Sequence, residues 1–117
     1  MARVYEKAAL ASYSPTAKDL AWAAGFIEGE GTMDWDRGRG RIAANQVTRE
    51  PLEWLLSMFG GHIYSRMPTE GIGKKRVYNW IATGPRARGI MFSLFSFLTE
   101  RRREQIKSAL GVTRKEG

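Results

Sequence analysis

The stretch Trp22–Gly31, WAAGFIEGEG, ends an apolar, helix-like run with two glutamates placed between glycines. A helix C-terminus carries partial negative charge, so a carboxylate there destabilises the helix by roughly 0.3–1 kcal/mol. The same carboxylate would stabilise the helix at its N-terminus. The chain as a whole is basic, with a formal net charge of +7. Two acids at the less favourable end of a helix therefore break a local rule, and such breaks are typical of functional sites.

The residues around this stretch predict a helix over about residues 17–29. Thr16 followed by Asp19 three positions later is the capping-box pattern that starts a helix. An apolar stripe at i, i+3, i+4 and i+7 spacing consists of Leu20, Ala23, Ala24 and Ile27. The small side chains of this stripe, together with Gly25, leave a groove that another backbone can approach closely.

Beyond Gly31 the pattern changes to two hairpins separated by a helix. The strand-like segments are TMDWD (32–36) and RIAANQV (41–47) around the turn RGRG, then HIYSRM (62–67) and KRVYNWIA (75–82) around the loop PTEGIGK (68–74). The segment TREPLEWLLSMFGG (48–61) predicts the helix between them, with Thr48 as a possible cap and two glycines as its end.

Two helices complete the chain. The segment ARGIMFSLFSFL (87–98) is apolar on most sides and predicts a buried helix, and ERRREQIKSAL (100–110) predicts a basic last helix. This order predicts an α+β domain with one mainly antiparallel four-stranded sheet. We expect the domain to occupy residues 16–111, with tails at 1–15 and 112–117.

Composition narrows the function classes. A chain of 117 residues is one domain, and 19 Lys+Arg against 12 Asp+Glu favour a polyanionic partner, most often nucleic acid, over a merely solvated basic surface. The absence of cysteine excludes a disulfide framework, a thiolate zinc site and a cysteine nucleophile. Without a transmembrane-length apolar run or a signal-peptide core, we expect a soluble, cytoplasmic or nucleoid-associated protein that is not secreted and has no membrane partner.

The segment Ala23–Gly31, AAGFIEGEG, resembles the signature of the LAGLIDADG homing endonuclease family, with both aspartates replaced by glutamates and Ala23 in the place of the first leucine. Further matches are NQVTRE (45–50), LLSMFGGHIY (55–64) and YNWIATGPRA (78–87), so the resemblance covers roughly residues 17–110. It implies an αββαββα saddle with the sheet over the DNA major groove, followed here by one more helix.

The resemblance also implies a homodimer, because this chain has one copy of the signature. The signature helices of two chains are then expected to pack together, with Ala23, Ala24, Ile27 and Glu28 at the dimer interface. The alternative is that the small residues pack against the core of their own chain. Glu28 is expected to hold the helix end at that interface, with a catalytic role as the alternative.

For catalysis the resemblance implies Mg²⁺, with Mn²⁺ or Ca²⁺ able to occupy the same site, and Glu30 as metal ligand and catalytic acid in each chain. Hard cations of this kind take oxygen ligands. Arg49 is expected beside the scissile phosphate. One of Arg101 and Arg102 is expected to approach the active site, unless the arginine run is only a solvated helix face. Alignment on Gln105 favours Arg102, and counting from Leu98 favours Arg101.

The alternation of side chains along the strands predicts which residues contact DNA. A strand of about six residues spans ~20 Å, enough for about six base pairs. The candidates are Asp34, Asp36, Arg37, Arg39, Arg41 and Gln46 on the first hairpin and Tyr64, Arg66, Lys75 and Asn79 on the second. Gln46 is in phase with Ile42 and Ala44. Tyr78 and Trp80 have the opposite parity to Asn79 and are predicted in the core; the alternative for the whole set is an ordinary half-solvated sheet.

These observations predict a site-specific, metal-dependent, double-strand DNA endonuclease of the homing type, acting on a long pseudo-palindromic site and on no small-molecule substrate. The alternative is a maturase-like RNA-splicing cofactor or a catalytically degenerate DNA-binding protein on the same scaffold. A third interpretation is a small nucleic-acid-packaging protein, which would bind all duplexes equally, whereas a homing enzyme prefers one site near 150 mM salt.

Overall fold

A computed structural model describes residues 9–67 and 75–111 together with the backbone of residues 3–5. In chain order the elements are β1 (Arg3–Tyr5), α1 (Ala17–Glu30), β2 (Gly31–Asp36), β3 (Arg39–Gln46), α2 (Glu50–Phe59), β4 (His62–Arg66), β5 (Val77–Thr83), α3 (Gly84–Leu94), a 3₁₀ turn (Phe95–Phe97) and α4 (Glu100–Ala109). The predicted order αββαββα with one further helix is confirmed from α1 onward. The predicted loop 68–74 and tail 112–117 lie outside the described residues.

The strands form one antiparallel sheet in the order β1-β4-β5-β3-β2. The four predicted strands are confirmed as the body of this sheet. β1 adds a fifth strand that sequence reasoning did not predict, because three residues show no period and the strand is defined by its pairing with β4. The sheet therefore gains an edge from a segment that was predicted to be a tail.

α1 begins and ends at sharply defined residues. The capping box is present: the Asp19 N–H donates to the Thr16 hydroxyl at 3.1 Å, and the Thr16 N–H donates to the Asp19 carboxylate at 2.9 Å. The helix runs to Glu30, and β2 begins at the next residue without a linker. A Cβ at Gly31 would lie 2.7 Å from Ile27 Cγ2, so this junction needs glycine.

The helices cover one face of the sheet, and the core lies between them. Trp80 and Ile42 of the sheet are fully buried there, as predicted for Trp80, and the Trp80 indole N–H donates to the Gly60 carbonyl at 2.9 Å. α1 packs against β2, β3 and α3. Among the described residues no helix covers the opposite face of the sheet, which we call the open face.

The predicted dimer contact through the apolar stripe of α1 needs a correction. Ala23, Ala24 and Ile27 are 0%, 1% and 0% exposed within the single chain. The small side chains of Ala23 and Ala24 let α1 approach its own sheet and α3 closely, and all three residues are covered within the chain, so this stripe has no surface left for a partner. The alternative, that these residues pack against their own core, is the observed arrangement.

Two helix predictions also differ in detail. α2 has Arg49, not Thr48, at its N-cap, with Pro51 in the first turn and the predicted glycine end. α3 is only half buried, because Ile90, Met91 and Leu94 face the sheet while Phe92 is 60% exposed. None of the helices in the described part of the chain combines the length and apolar character needed to cross a bilayer.

Candidate functional site

Glu30 is the last residue of α1 and its side chain is exposed. Within residues 9–67 and 75–111, Glu30 makes no hydrogen bond and no ion pair. Gly29 before it faces open space, since a Cβ there would meet no atom within 4 Å. The carboxylate is therefore accessible and free to bind an external group.

Arg49 lies at the same end of the sheet as Glu30. Gly31 pairs with Ala44 near the end of β3, and Arg49 follows that strand by three residues. The Arg49 guanidinium stacks 5.5 Å from the centroid of the Tyr78 ring, and its Nε is 3.4 Å from a Glu53 carboxylate oxygen. Arg49 is thus held at the β3–α2 junction on the side where α1 ends.

Glu28, two residues before Glu30, is in the opposite situation. The Thr99 N–H donates to Glu28 Oε1 at 3.0 Å, and the Thr99 hydroxyl donates to Oε2 at 2.8 Å. The backbone hydrogen bond from Thr99 is the main reason why the pKa of Glu28 lies below its ordinary value. Both carboxylate oxygens are engaged by α4 of the same chain. Glu28 therefore contacts the N-terminal end of α4 within its own chain, and its place at a dimer interface stays a prediction.

Arg101 and Arg102, the two alternatives from the sequence, differ sharply in exposure. The Arg102 side chain is 8% exposed, its Nη2 donates to the Glu28 carbonyl at 2.9 Å and its Nη1 donates to Gln105 Oε1 at 2.8 Å. Burial lowers the pKa of Arg102, and the nearby Arg101 charge lowers it further. The Arg101 side chain is 64% exposed, with Nη2 3.8 Å from Glu28 Oε2. Arg102 was predicted to approach the active site, and the structure corrects this, because its guanidinium is enclosed and cannot contact a substrate. Arg101 is the accessible member of the pair.

The open face of the sheet gathers most of the predicted DNA-contacting residues. Alternation with the buried Ile42, Ile63 and Trp80 places on this face Asp34, Asp36, Arg39, Arg41, Tyr64, Arg66 and Asn79. Gln46 was predicted with them, but it shares the parity of the buried Ile42 and Ala44 and lies on the helix-covered side. Arg37 sits in the exposed turn with φ 52°, and Lys75 is exposed two residues before β5 begins.

An ion cluster lies on this face towards the turn between β2 and β3. Arg41 donates from Nε and Nη2 to both oxygens of Asp34, at 2.9 and 2.7 Å, and its Nη1 lies 3.5 Å from Asp36. The hydrogen bond to Asp34 is the main cause that raises the pKa of Arg41. These three side chains fix one another, so they present an oriented pattern of donors and acceptors.

Asn79 occupies the middle of the open face and is 9% exposed. Its Nδ2 donor has no hydrogen-bond partner among the described residues. It pairs across the strands with Tyr64 on one side and Asn45 on the other. The sequence prediction missed Asn45. In a strand every second residue lies on the same face, so counting from Arg41 through Ala43 leads to Asn45, whereas Gln46 lies on the other face.

A metal ion can be held here only in part by one chain. Within the described residues no group of three or more His, Cys, Asp or Glu side chains converges. The unpartnered Glu30 carboxylate is the hard oxygen ligand that Mg²⁺ and Ca²⁺ prefer. The donor set therefore fits such an ion if a second copy and a substrate oxygen supply further ligands.

The exposed face of α1 differs from its buried stripe. Trp22 is 41% exposed and stacks on Phe26 with ring centroids 5.6 Å apart and an interplanar angle of 9°. A Cβ at Gly25 or Gly29 would meet nothing within 4 Å. This face, defined by Trp22, Gly25, Phe26 and Gly29, is the surface that α1 offers to another molecule.

The architecture is an α+β fold consistent with that of the LAGLIDADG homing endonucleases. No protein-family model matches the sequence, and no curated protein matches it either.

Two similar solved structures are of the homing endonuclease I-CvuI. One is its complex with the I-CreI target (C1221) in 2 mM Mg, in which the DNA is not cleaved, with a TM-score of 0.58 and 16% identity. The other is its complex with its own target (Sro1.3) in 2 mM Ca, with a TM-score of 0.59 and 18% identity. Each alignment covers 79% of this chain and 65% of the other. At this identity the likeness establishes the fold.

Proposed function

We propose that this protein is a homodimeric, Mg²⁺-dependent DNA endonuclease of the LAGLIDADG type, which cuts both strands of a long pseudo-palindromic site. The observation that carries the proposal is the exposed Glu30 carboxylate, without a partner in the described residues, at the C-terminal end of α1. That position is unfavourable for stability by itself. A carboxylate kept there is explained by a ligand that the single chain does not contain.

Phosphodiester hydrolysis needs an attacking water, stabilisation of the negative charge that develops on the phosphate, and assistance for the leaving oxygen. Bound Mg²⁺ supplies Lewis acidity for these tasks. Glu30 would bind it from each chain. Arg49, at the β3–α2 junction, and the exposed Arg101 would hold the phosphate oxygens through charge-assisted hydrogen bonds.

The dimer is supported by the exposed face of α1. The glycines at positions 25 and 29 allow a second helix to approach closely, and the Trp22–Phe26 stack supplies apolar area beside them. A two-fold axis along this face would bring two Glu30 side chains together, one for each strand. Two copies reading the same bases in opposite directions require similar half-sites.

The open face of the sheet would lie in the DNA major groove. Arg39, Arg41 and Arg66 suit guanine or phosphate, the oriented Asp34 and Asp36 suit cytosine amino groups, and Asn45 and Asn79 suit adenine. The Nδ2 of Asn79, which has no hydrogen-bond partner among the described residues, would gain one from a base edge lying over this face. The polar pattern therefore supports base readout in addition to phosphate binding.

Cleavage of a randomised duplex library with Mg²⁺ at about 150 mM salt tests the proposal. Wild type is compared with Glu30→Gln and with Glu104→Gln, a control that removes an exposed carboxylate of α4 paired with Lys107. Defined cut sites that are kept by the control and lost in Glu30→Gln support the endonuclease.

Two other outcomes contradict it. Binding without cutting by wild type favours the maturase-like or degenerate-binder alternative. Cutting that is unchanged in Glu30→Gln removes the assigned role of this carboxylate.

A further inference from the structure

Arg102 closes the C-terminal end of α1 although it belongs to α4. The last four carbonyls of a helix lack intrahelical partners, and a cation near them is favourable. α1 has no basic residue in its own last turn. The Arg102 Nη2 donates to the Glu28 carbonyl at 2.9 Å, so α4 supplies the cation that this helix end lacks.

Glu28 does the reverse for α4. The N-cap of α4 is Thr99, whose side chain makes no capping hydrogen bond within its own helix. Its N–H and hydroxyl donate to the Glu28 carboxylate at 3.0 and 2.8 Å, which places a negative charge at the positive end of α4. Each helix end therefore receives from the other the charged group that its own sequence does not provide. We call this pair of contacts the reciprocal cap.

The reciprocal cap is retained at a cost. Arg102 is 6% exposed as a residue, and its Nε lies 3.8 Å from Glu28 Oε2 and has no hydrogen-bond partner among the described residues. A buried charge with an unsatisfied donor is often less stable than an apolar side chain of similar volume. Unsatisfied buried groups in native proteins call for an explanation, such as a catalytic role or stored strain. Here the explanation is Glu30, which follows Glu28 by two residues at the end of α1.

We infer that Glu28 and Arg102 are positioning residues that lock the last turn of α1 onto α4 and thereby fix where the Glu30 carboxylate points. The inference rests on the proposed endonuclease function for its catalytic consequence, but the locking itself is a property of the fold. Glu30 contacts neither residue through its side chain in the described structure, so the effect on Glu30 runs through the backbone of Gly29.

The test compares Arg102→Met with Arg103→Met, a matched control one residue further along α4. Arg103 also anchors α4 by donating to backbone carbonyls, at 3.1 Å to Phe95 and 3.3 Å to Ser96, and it stacks on Phe95, but none of these contacts touches α1. The first readout is amide hydrogen exchange at Gly29, Glu30 and Gly31. We expect Arg102→Met to speed this exchange by about tenfold and Arg103→Met to leave it unchanged.

The second readout is single-turnover cleavage at saturating DNA and Mg²⁺. Arg102→Met should lower the rate by about tenfold with unchanged DNA affinity, and Arg102→Lys should recover part of it because one donor to the Glu28 carbonyl remains. Thr99→Val, which removes only the hydroxyl donor at an exposed position, should change both readouts in the same direction by a smaller factor.

The outcomes separate the inference from the proposed function. If wild type does not cut DNA, the proposed function fails. The exchange experiment still shows whether the reciprocal cap holds the last turn of α1 in place. If Arg102→Met and Arg103→Met change exchange at Gly29–Gly31 equally, or neither changes it, the positioning role is overturned. If Arg102→Met fails to fold, Thr99→Val gives the decision by the same two readouts.

Discussion

Ala24 and Gly25 are neighbours in α1, about 100° apart around the helix axis, and they meet opposite surroundings. Ala24 is 1% exposed against the sheet and α3, whereas a Cβ at Gly25 would enter open space. Both faces are lined by small residues, and on the buried face their use is visible within the chain. On the exposed face nothing in the described chain uses the close approach that glycine allows.

The difference between the faces separates folding from function. A glycine inside a helix costs about 0.5–1 kcal/mol relative to alanine. The chain bears this cost at Gly25 and again near the end of the helix at Gly29, and no contact within the described part of the chain explains it. Small residues on the buried face serve the monomer, and those on the exposed face are explained by the proposed second copy.

The largest change in stability is expected from a substitution on the buried face of α1. Ile27→Ala removes a fully buried side chain and should lower the free energy of unfolding by about 2–5 kcal/mol, measured by urea denaturation. Phe92→Ala, which truncates an apolar side chain that is 60% exposed, is the control. An equally small change in both variants would show that α1 does not pack as described.

Overpacking the same face should have the next largest effect. Ala24→Leu adds three carbons to a position with 1% exposure and should cost about 1–3 kcal/mol of unfolding free energy. Lys18→Leu, at an exposed position of the same helix, is the matched insertion of a leucine. A stable Ala24→Leu variant would restore the original prediction that this stripe has room for a partner.

On the exposed face the same kind of change should stabilise the monomer. Gly25→Ala fills open space within a helix and should raise the free energy of unfolding of the monomer by about 0.5–1 kcal/mol. The added methyl should weaken self-association, measured by analytical ultracentrifugation. Unchanged association would exclude a dimer that brings the helix backbones together at this position.

The smallest effect concerns pH. The pKa of Glu28 in the folded protein is lowered from 4.5, so its contribution to stability is present above that value and is lost as pH falls through the lowered pKa. Glu28→Gln should therefore be less stable than wild type at pH 7, and the difference should shrink below about pH 4.5. Unfolding curves from pH 3 to 7 measure it. A difference that does not change with pH would mean that the carboxylate charge plays no part.

The sequence predicts well what is decided locally. The capping box of α1, the glycine end of α2 and the alternation of β2 to β5 depend on neighbours a few residues apart, and they were predicted with small errors in the end residues. β1 was missed because its pairing with β4 joins segments far apart in the sequence.

The site was predictable only in part for the same reason. Glu30 stands out because an acid at that helix end breaks a local rule. The role of Glu28 depends on Thr99, 71 residues away, and no pattern in the sequence links the two. Spacing alone could not choose between Arg101 and Arg102, because the choice depends on which of them α1 covers. Small residues in α1 likewise suit a partner or the chain's own sheet equally well until burial is known.

The direct passage from Glu30 to Gly31 has a mechanical consequence. No loop separates α1 from β2, and Gly31 lies closely against Ile27, so we expect a rotation of the strand to be passed on to the end of the helix. A base pair that tilts β2 on the open face would swing the carboxylate at the other side of the junction by the same rotation. In the proposed enzyme, the strand that contacts the bases and the helix that carries Glu30 are joined directly at Gly31. A wrong base near β2 would therefore slow the chemical step even where the DNA stays bound.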